Sequence, residues 1–270
     1  MLRAKLSVVP ALALLASLSI LVGGCSTSAP ADKTANWTPD RLYSEAKDEL
    51  GSGAYDKAVP LYEKLEGRAA GTPLAQQAEL EKAYAQYKAG EQAQALATLD
   101  RFIRLHPASP ALDYAIYMKG IVNFNDNLGL FSSITRQDLS ERDQKAAKDS
   151  FESFKEVVSR FPSSRYAADS RARMVYIVNS LARYEVHVAR YYYTRGAYVA
   201  ALNRAQATVT EYRDVPAAEE ALHIMAQSYD ALGLTQLRDD TQRVIAKNYP
   251  NSDYLSPSGF KKSDPWWKLW

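Results

Sequence analysis

The chain of 270 residues has one cysteine, three histidines and almost no net charge. A single cysteine leaves no intramolecular disulfide, so packing must hold the fold together. His106, His187 and His223 stand far apart with no Cys partner and no paired spacing, which argues against a metal site. Of the 33 basic residues, Arg3 and Lys5 fall in a segment read below as removable, leaving 31 against 31 acids. That balance lacks the electrostatic footprint of a general nucleic-acid binder. From Trp37 onward there is no strand alternation and no Gly-rich loop to cradle a phosphate. Ser44-Glu45-Ala46-Lys47 matches the acylating Ser-x-x-Lys pattern, but it sits mid-helix and lacks the Ser-Asp-Asn and Lys-Thr-Gly companions. Residues 123–129 have a faint likeness to a calcium loop, with the glycine misplaced and Ile134 where the closing glutamate belongs. No catalytic constellation emerges. The chain reads as a non-enzymatic binding protein without cofactor.

What the chain does have begins at its N-terminus. Arg3 and Lys5 precede an apolar run over residues 6–22 and a Gly23-Gly24 stop, the layout of an export signal. The run is long enough to stand as an uncleaved membrane anchor instead. Leu21-Val22-Gly23-Gly24-Cys25 decides between them, because it resembles the bacterial lipobox. There the signal (residues 1–24) is cut before the cysteine, the thiol is diacylated and the new amine is acylated. Several acyl chains make such anchoring effectively stable. Ser26 rather than Asp follows, which in the families this resembles favours transport onward to the outer membrane. Residues 25–36 are polar and aperiodic and read as a flexible tether. Thr38-Pro39 then supplies a helix cap and a first-turn proline.

The rest is repetitive. Gly53 and Gly90 are 37 residues apart, as are Gly196 and Gly233, in similar surroundings such as Gly53-Ala54-Tyr55 and Gly196-Ala197-Tyr198. A small residue stands seven places before each: Ala46, Ala83, Ala189 and Ala226. Close helix approach followed by a glycine reversal is the tetratricopeptide (TPR) pattern. Pro107 and Pro162 close units but lie 55 apart, so the third unit carries an insertion of about eighteen residues, placed at 125–142. The fourth unit has about fourteen surplus residues, roughly four helical turns. They fall in one very long helix over 166–194, which lacks Pro and Gly and carries two apolar stripes. The expected fold is therefore an all-α, TPR-like solenoid of about five helix–turn–helix units, with one insertion and one extended helix. The units run 37–71, 72–108, 109–164, 165–214 and 215–252. The first three form one half and the last two another. A Trp/Lys-rich tail, 253–270, ends the chain, and Pro265 argues against its being a helical cap.

In TPR proteins the first helix of each unit lines a groove at recurring places. Carried onto this chain, those places hold Tyr43 and Lys47, then Leu80, Tyr84, Tyr87 and Lys88, then Tyr114, Tyr117, Ile121 and Phe124. Tyrosine is abundant here, at 18 against 7 Phe. An aromatic groove with lysines suits an extended peptide: rings take apolar side chains and Lys meets a carboxylate. The competing assignment places these tyrosines in the core between repeats.

Asp100-Arg101-Phe102-Ile103-Arg104-Leu105-His106-Pro107, Asp113-Tyr114-Ala115-Ile116-Tyr117 and the run from Arg195 to Arg204 closely resemble the BamD (ComL) family of TPR lipoproteins. The resemblance covers the repeats and the lipobox, and excludes the Trp-rich tail. It implies an outer-membrane lipoprotein of the β-barrel assembly machinery, facing the periplasm. Its C-terminal repeats would dock the periplasmic domains of the barrel-forming subunit, with Arg195, Tyr198 and Arg204 as the matching residues. Its N-terminal repeats would engage targeting segments of unfolded outer-membrane proteins, alongside accessory assembly lipoproteins. The rival is a TPR lipoprotein scaffold for pilus biogenesis or cell-wall coordination, which should lack these stretches and the insertion.

Overall fold

A computed structural model describes residues 32–124, 144–212, 214–252 and 254. The leader, Cys25, the insertion at 125–142 and the tail at 253–270, Tyr254 apart, lie outside the described residues. Within them ten helices follow in pairs: α1 (Pro39–Gly51) with α2 (Tyr55–Arg68), α3 (Pro73–Lys88) with α4 (Gln92–Leu105), α5 (Leu112–Asn123) with α6 (Gln144–Arg160), α7 (Ala167–Thr194) with α8 (Tyr198–Glu211), and α9 (Ala217–Ala231) with α10 (Thr235–Asn248). Among the described residues there is no strand, and no helix is long and apolar enough to cross a membrane. The fold is the all-α, TPR-like solenoid the repeat arithmetic implied.

Local sequence accounts for the boundaries. Thr38 Oγ1 accepts from the Arg41 amide at 3.2 Å, and Pro39 starts α1 where its missing N–H costs nothing. Thr72 and Pro73 do the same for α3. Gly53, Gly90, Gly196 and Gly233 take φ of 81°, 83°, 76° and 71°. Only glycine adopts that left-handed conformation without strain, so each hairpin reverses there. The small residues seven places upstream are sealed: Ala46, Ala83 and Ala189 are 0% exposed and Ala226 2%.

Each helix packs on its neighbours in sequence, so most apolar clusters are shared by consecutive helices. Leu42, Tyr62, Leu65 and Ala78 join α1, α2 and α3, while Leu80, Leu99, Phe102 and Met118 join α3, α4 and α5. Phe154, Ile177 and Leu181 carry the core across the third unit into the fourth, and Val186, Ala189, Ala201 and Ile224 carry it onward. Helix α7 has 28 residues where the other first helices have 12 to 16. It packs against α6, α8 and α9. Its second apolar stripe is not buried throughout, since Val175 is 62% exposed. Packing on that side starts only at Val178 and Ala182, which meet Val215 and Ala218 at the foot of α9.

The third unit shows how closely first and second helices approach. Gly120 stands 37 places after Ala83 and faces the fully buried Phe154 ring. A Cβ there would come within 2.7 Å of Phe154 Cε1, closer than real contacts allow. Gly120→Ala should therefore lower stability by about 1–3 kcal/mol through overpacking. Gly67→Ala, at a helical glycine with open space around it, should raise stability slightly, by about 0.5 kcal/mol. Urea unfolding midpoints that move the same way for both variants would contradict this packing.

Candidate functional site

The first helices α1, α3, α5 and α7 share a face, and the sequence-selected aromatics sit along it. At one end Tyr43 on α1 donates from its hydroxyl to Glu81 Oε1 on α3 at 3.0 Å, and Tyr62 on α2 donates to Glu81 Oε2 at 2.6 Å. Gln77 Nε2 donates to the same carboxylate at 3.0 Å and also to the Tyr43 hydroxyl. Lys47 completes the group, its ammonium 5.6 Å from the Tyr43 ring centre and 3.9 Å from Glu81. Gln77, Glu81, Tyr84 and Lys88 recur at helical spacing on one stripe of α3.

Beyond Tyr84 the rings close up. Tyr114 lies 5.5 Å from Tyr166, and Tyr117 stacks on that ring at 4.6 Å. The Arg165 guanidinium sits 4.8 Å over Tyr166. The Tyr117 hydroxyl donates to Asp169 Oδ2 at 2.7 Å, and Arg173 Nε donates to the same oxygen at 2.6 Å. Arg173 also covers the Phe124 ring at 4.7 Å, and Phe124 meets Tyr176 edge-on at 5.6 Å. Tyr166, Asp169, Arg173 and Tyr176 form one stripe of α7, so the long helix continues the band begun by α1, α3 and α5.

The tyrosines of the band share a raised proton affinity. Burial pushes the Tyr114 phenol up to about 12, with Tyr166, Tyr84 and Glu81 adding to the effect. Burial also raises Tyr43, Tyr62 and Tyr117, reinforced by the carboxylate that each hydroxyl meets. These hydroxyls therefore remain donors at any physiological pH. Burial pulls the Asp169 carboxyl upward, but hydrogen bonds from Arg173 and Tyr117 outweigh it and hold the group below the usual range. The site alternates ring faces with carboxylate–cation pairs.

The sequence-selected residues divide. Tyr43, Lys47, Tyr84, Tyr114, Tyr117 and Phe124 lie on this band. Leu80 does not: it is 6% exposed and packs with Ala83, Leu99 and Phe102, because its place on α3 faces α4. Tyr87 and Ile121 are half-buried against the same core, as Tyr84 and Tyr114 of the band also are, and Lys88 is exposed at the end of α3. Gln77, Glu81, Tyr166, Asp169 and Arg173 were missed. Helical stripes through Tyr84 and Tyr166 reach them, whereas the recurring repeat places in the first three units include neither the two carboxylates nor the start of α7.

A second cluster surrounds the turn between α7 and α8. Arg195 lies 4.4 Å over the Tyr191 ring, and Tyr193 meets Tyr198 at 5.5 Å. Tyr191 and Val199 are 48% and 58% exposed. Arg204 stands apart from these: its Nη1 donates to Glu185 Oε2 on α7 at 3.1 Å, and Glu185 is itself buried. Half of Arg204 stays exposed, so one side chain both neutralises a buried acid and faces solvent.

Comparison with known proteins places this geometry. Residues 35–245 match the model of the YfiO outer membrane lipoprotein family. The chain belongs to that family. A Neisseria meningitidis protein named outer membrane protein assembly factor BamD is 44% identical over 258 residues, covering 94% of this chain and 97% of its own. Proteins of the same name from Vibrio cholerae and Xylella fastidiosa are 35% and 32% identical, over 87% and 94% of this chain and 96% and 89% of their own. This family member keeps its carboxylate–tyrosine contacts at the joints between units, which makes them sensitive to acid. Asp169, with its lowered proton affinity, contributes stability that is present above the ordinary carboxylate pKa of about 4 and lost as pH falls through the lowered value. Asp169→Asn should be less stable than the parent at pH 7, and the gap should close below about pH 4. Denaturant midpoints measured across that range check it. A gap that stays constant would contradict the assignment.

Proposed function

We propose that this protein is a lipid-anchored outer membrane protein assembly factor that binds extended segments of unfolded barrel proteins on the α1–α3–α5–α7 face. The observation that carries the reading is a pair of clusters on one face, Tyr43 with Glu81 and Tyr114, Tyr166 and Tyr117 with Arg173, with Tyr84 between them on the α3 stripe, in a chain of this family. Relatives that match it almost end to end are named as assembly factors of outer membrane proteins. Aromatic rings accept the apolar residues of a barrel strand, and Lys47, Arg165 and Arg173 supply charge for a terminal carboxylate. The Tyr43 and Tyr117 hydroxyl protons are committed to Glu81 and Asp169, so these side chains offer a peptide their ring faces.

In this reading the fourth and fifth units dock the machinery. Arg195, Tyr198 and the exposed Val199 present an aromatic, cationic surface suited to the periplasmic domains of the barrel-forming subunit, with Arg204 at its edge. Accessory assembly lipoproteins are further partners. Cys25 carries the lipid that places the protein on the periplasmic face of the outer membrane. The protein acts by holding partners rather than by catalysis.

A peptide ending in an aromatic residue with a free carboxylate should bind the purified protein, and Tyr84→Ala with Tyr117→Ala should weaken it by about tenfold or more. Arg195→Glu with Val199→Asp, at the distant cluster, should leave that affinity unchanged. Fluorescence anisotropy with a labelled peptide decides. Equal affinity in the first variant and the parent would remove the groove assignment.

A further inference from the structure

Residues 32–37 precede the first helix, yet they are fastened to the second. Lys64 Nζ on α2 donates to Asp32 Oδ1 at 2.7 Å and to Thr34 Oγ1 at 2.9 Å. One turn further along α2, Arg68 Nη1 donates to the main-chain oxygens of Thr34 at 2.8 Å and Trp37 at 2.6 Å. Inside the segment the Thr34 amide and hydroxyl both donate to Asp32 Oδ1, at 3.0 and 2.7 Å. The Ala35 and Trp37 amides close turns on Asp32 and Thr34. Thr34 is 8% exposed, and Trp37 packs on the first unit's core beneath the Arg41 guanidinium. Exposed polar contacts are individually weak, but here several converge on consecutive residues and an aromatic anchor.

This alters the tether. Its polar, aperiodic sequence implied free chain from residue 25 to 36, but the last five of those residues belong to the folded unit. From Cys25 to Asp32, where the strap begins, is seven residues, whereas to Thr38 it is thirteen. At full extension these reach about 25 Å and about 45 Å. The surface beside the strap carries Lys33, Arg41, Lys64 and Arg68 against Asp32 and Asp40, a net positive balance.

We propose that residues 32–37 are a strap that shortens the leash, holding this pole of the first unit against the phospholipid headgroups of the membrane in which the Cys25 lipid sits. The proposal rests on the lipid-anchor reading. It fixes which end of the binding band lies nearest the membrane: the Tyr43–Lys47–Glu81 end, on the strapped unit. The two cations on α2 are the residues that set the height, because they hold the strap to a helix rather than to its own flank. Lys64→Ala with Arg68→Ala should release the strap and nearly double the reach without touching the band.

The test uses the full-length lipidated protein in phosphatidylethanolamine–phosphatidylglycerol vesicles. Hydrogen exchange should show Thr34, Ala35 and Trp37 amides protected in the parent, and faster by on the order of tenfold in the double variant, with α3 to α10 unchanged. Energy transfer from a dye on Ser44→Cys to a headgroup acceptor should fall in the same variant. Asp32→Ala, which alters no helix, should act in the same direction. Equal exchange in parent and variants overturns the strap, and faster exchange with unchanged transfer overturns its role as a leash. A parent protein that fails to float with vesicles, as Cys25→Ser should, overturns the anchor itself and the proposal with it.

Discussion

A hairpin of two short helices cannot bury its own apolar side, and the rest of this structure depends on that constraint. Each unit borrows the missing surface from the next, so Leu42, Tyr62 and Ala78 form one cluster from three helices, and the pattern repeats along the chain. Close approach within a unit requires a small residue facing the partner helix, which is why Ala46, Ala83, Gly120, Ala189 and Ala226 occupy equivalent places. Stacking in register brings the first helices side by side. The binding band follows from that register.

The band is also held by polar contacts across the joints. Glu81 gathers hydroxyls from α1 and α2 onto α3, and Asp169 ties α5 to α7 through Tyr117. Buried or half-buried carboxylates need such donors, and tyrosine provides one while keeping a ring face available. The abundance of tyrosine thus has a structural reason beside the proposed binding one. Helix α7 belongs to both halves: its first turns carry Tyr166, Asp169 and Arg173 of the band, and its last turns carry the Tyr191 and Arg195 cluster. Its length separates the two surfaces while one continuous backbone connects them.

Much of this was legible in the sequence, because the signals were periodic. The 37-residue glycine spacing, the alanines upstream and the Thr-Pro caps each reflect local backbone chemistry, and the surplus of the fourth unit appears as the 28 residues of α7. What stayed hidden depends on partners distant in sequence. Leu80 was assigned to the groove because a fixed repeat position does not say which way a helix is rotated on its neighbour. Glu81 and Asp169 were passed over because a carboxylate on a helix ordinarily marks a solvated face; only their tyrosine partners, 38 and 52 residues away, give them a place. The attachment of Thr34 to Lys64 and Arg68 was invisible for the same reason, since nothing local marks a polar segment as fixed.

The central claim is that one solenoid presents two separate surfaces, for unfolded barrel proteins on the aromatic band and for the assembly machinery at the α7–α8 turn. Photo-crosslinking in intact cell envelopes tests it most directly, with the reactive group placed in turn at Tyr166 and at Val199. The account predicts adducts with unfolded outer membrane proteins from position 166 and with the barrel-forming subunit from position 199. The reverse distribution, or the same adducts from both positions, would contradict it.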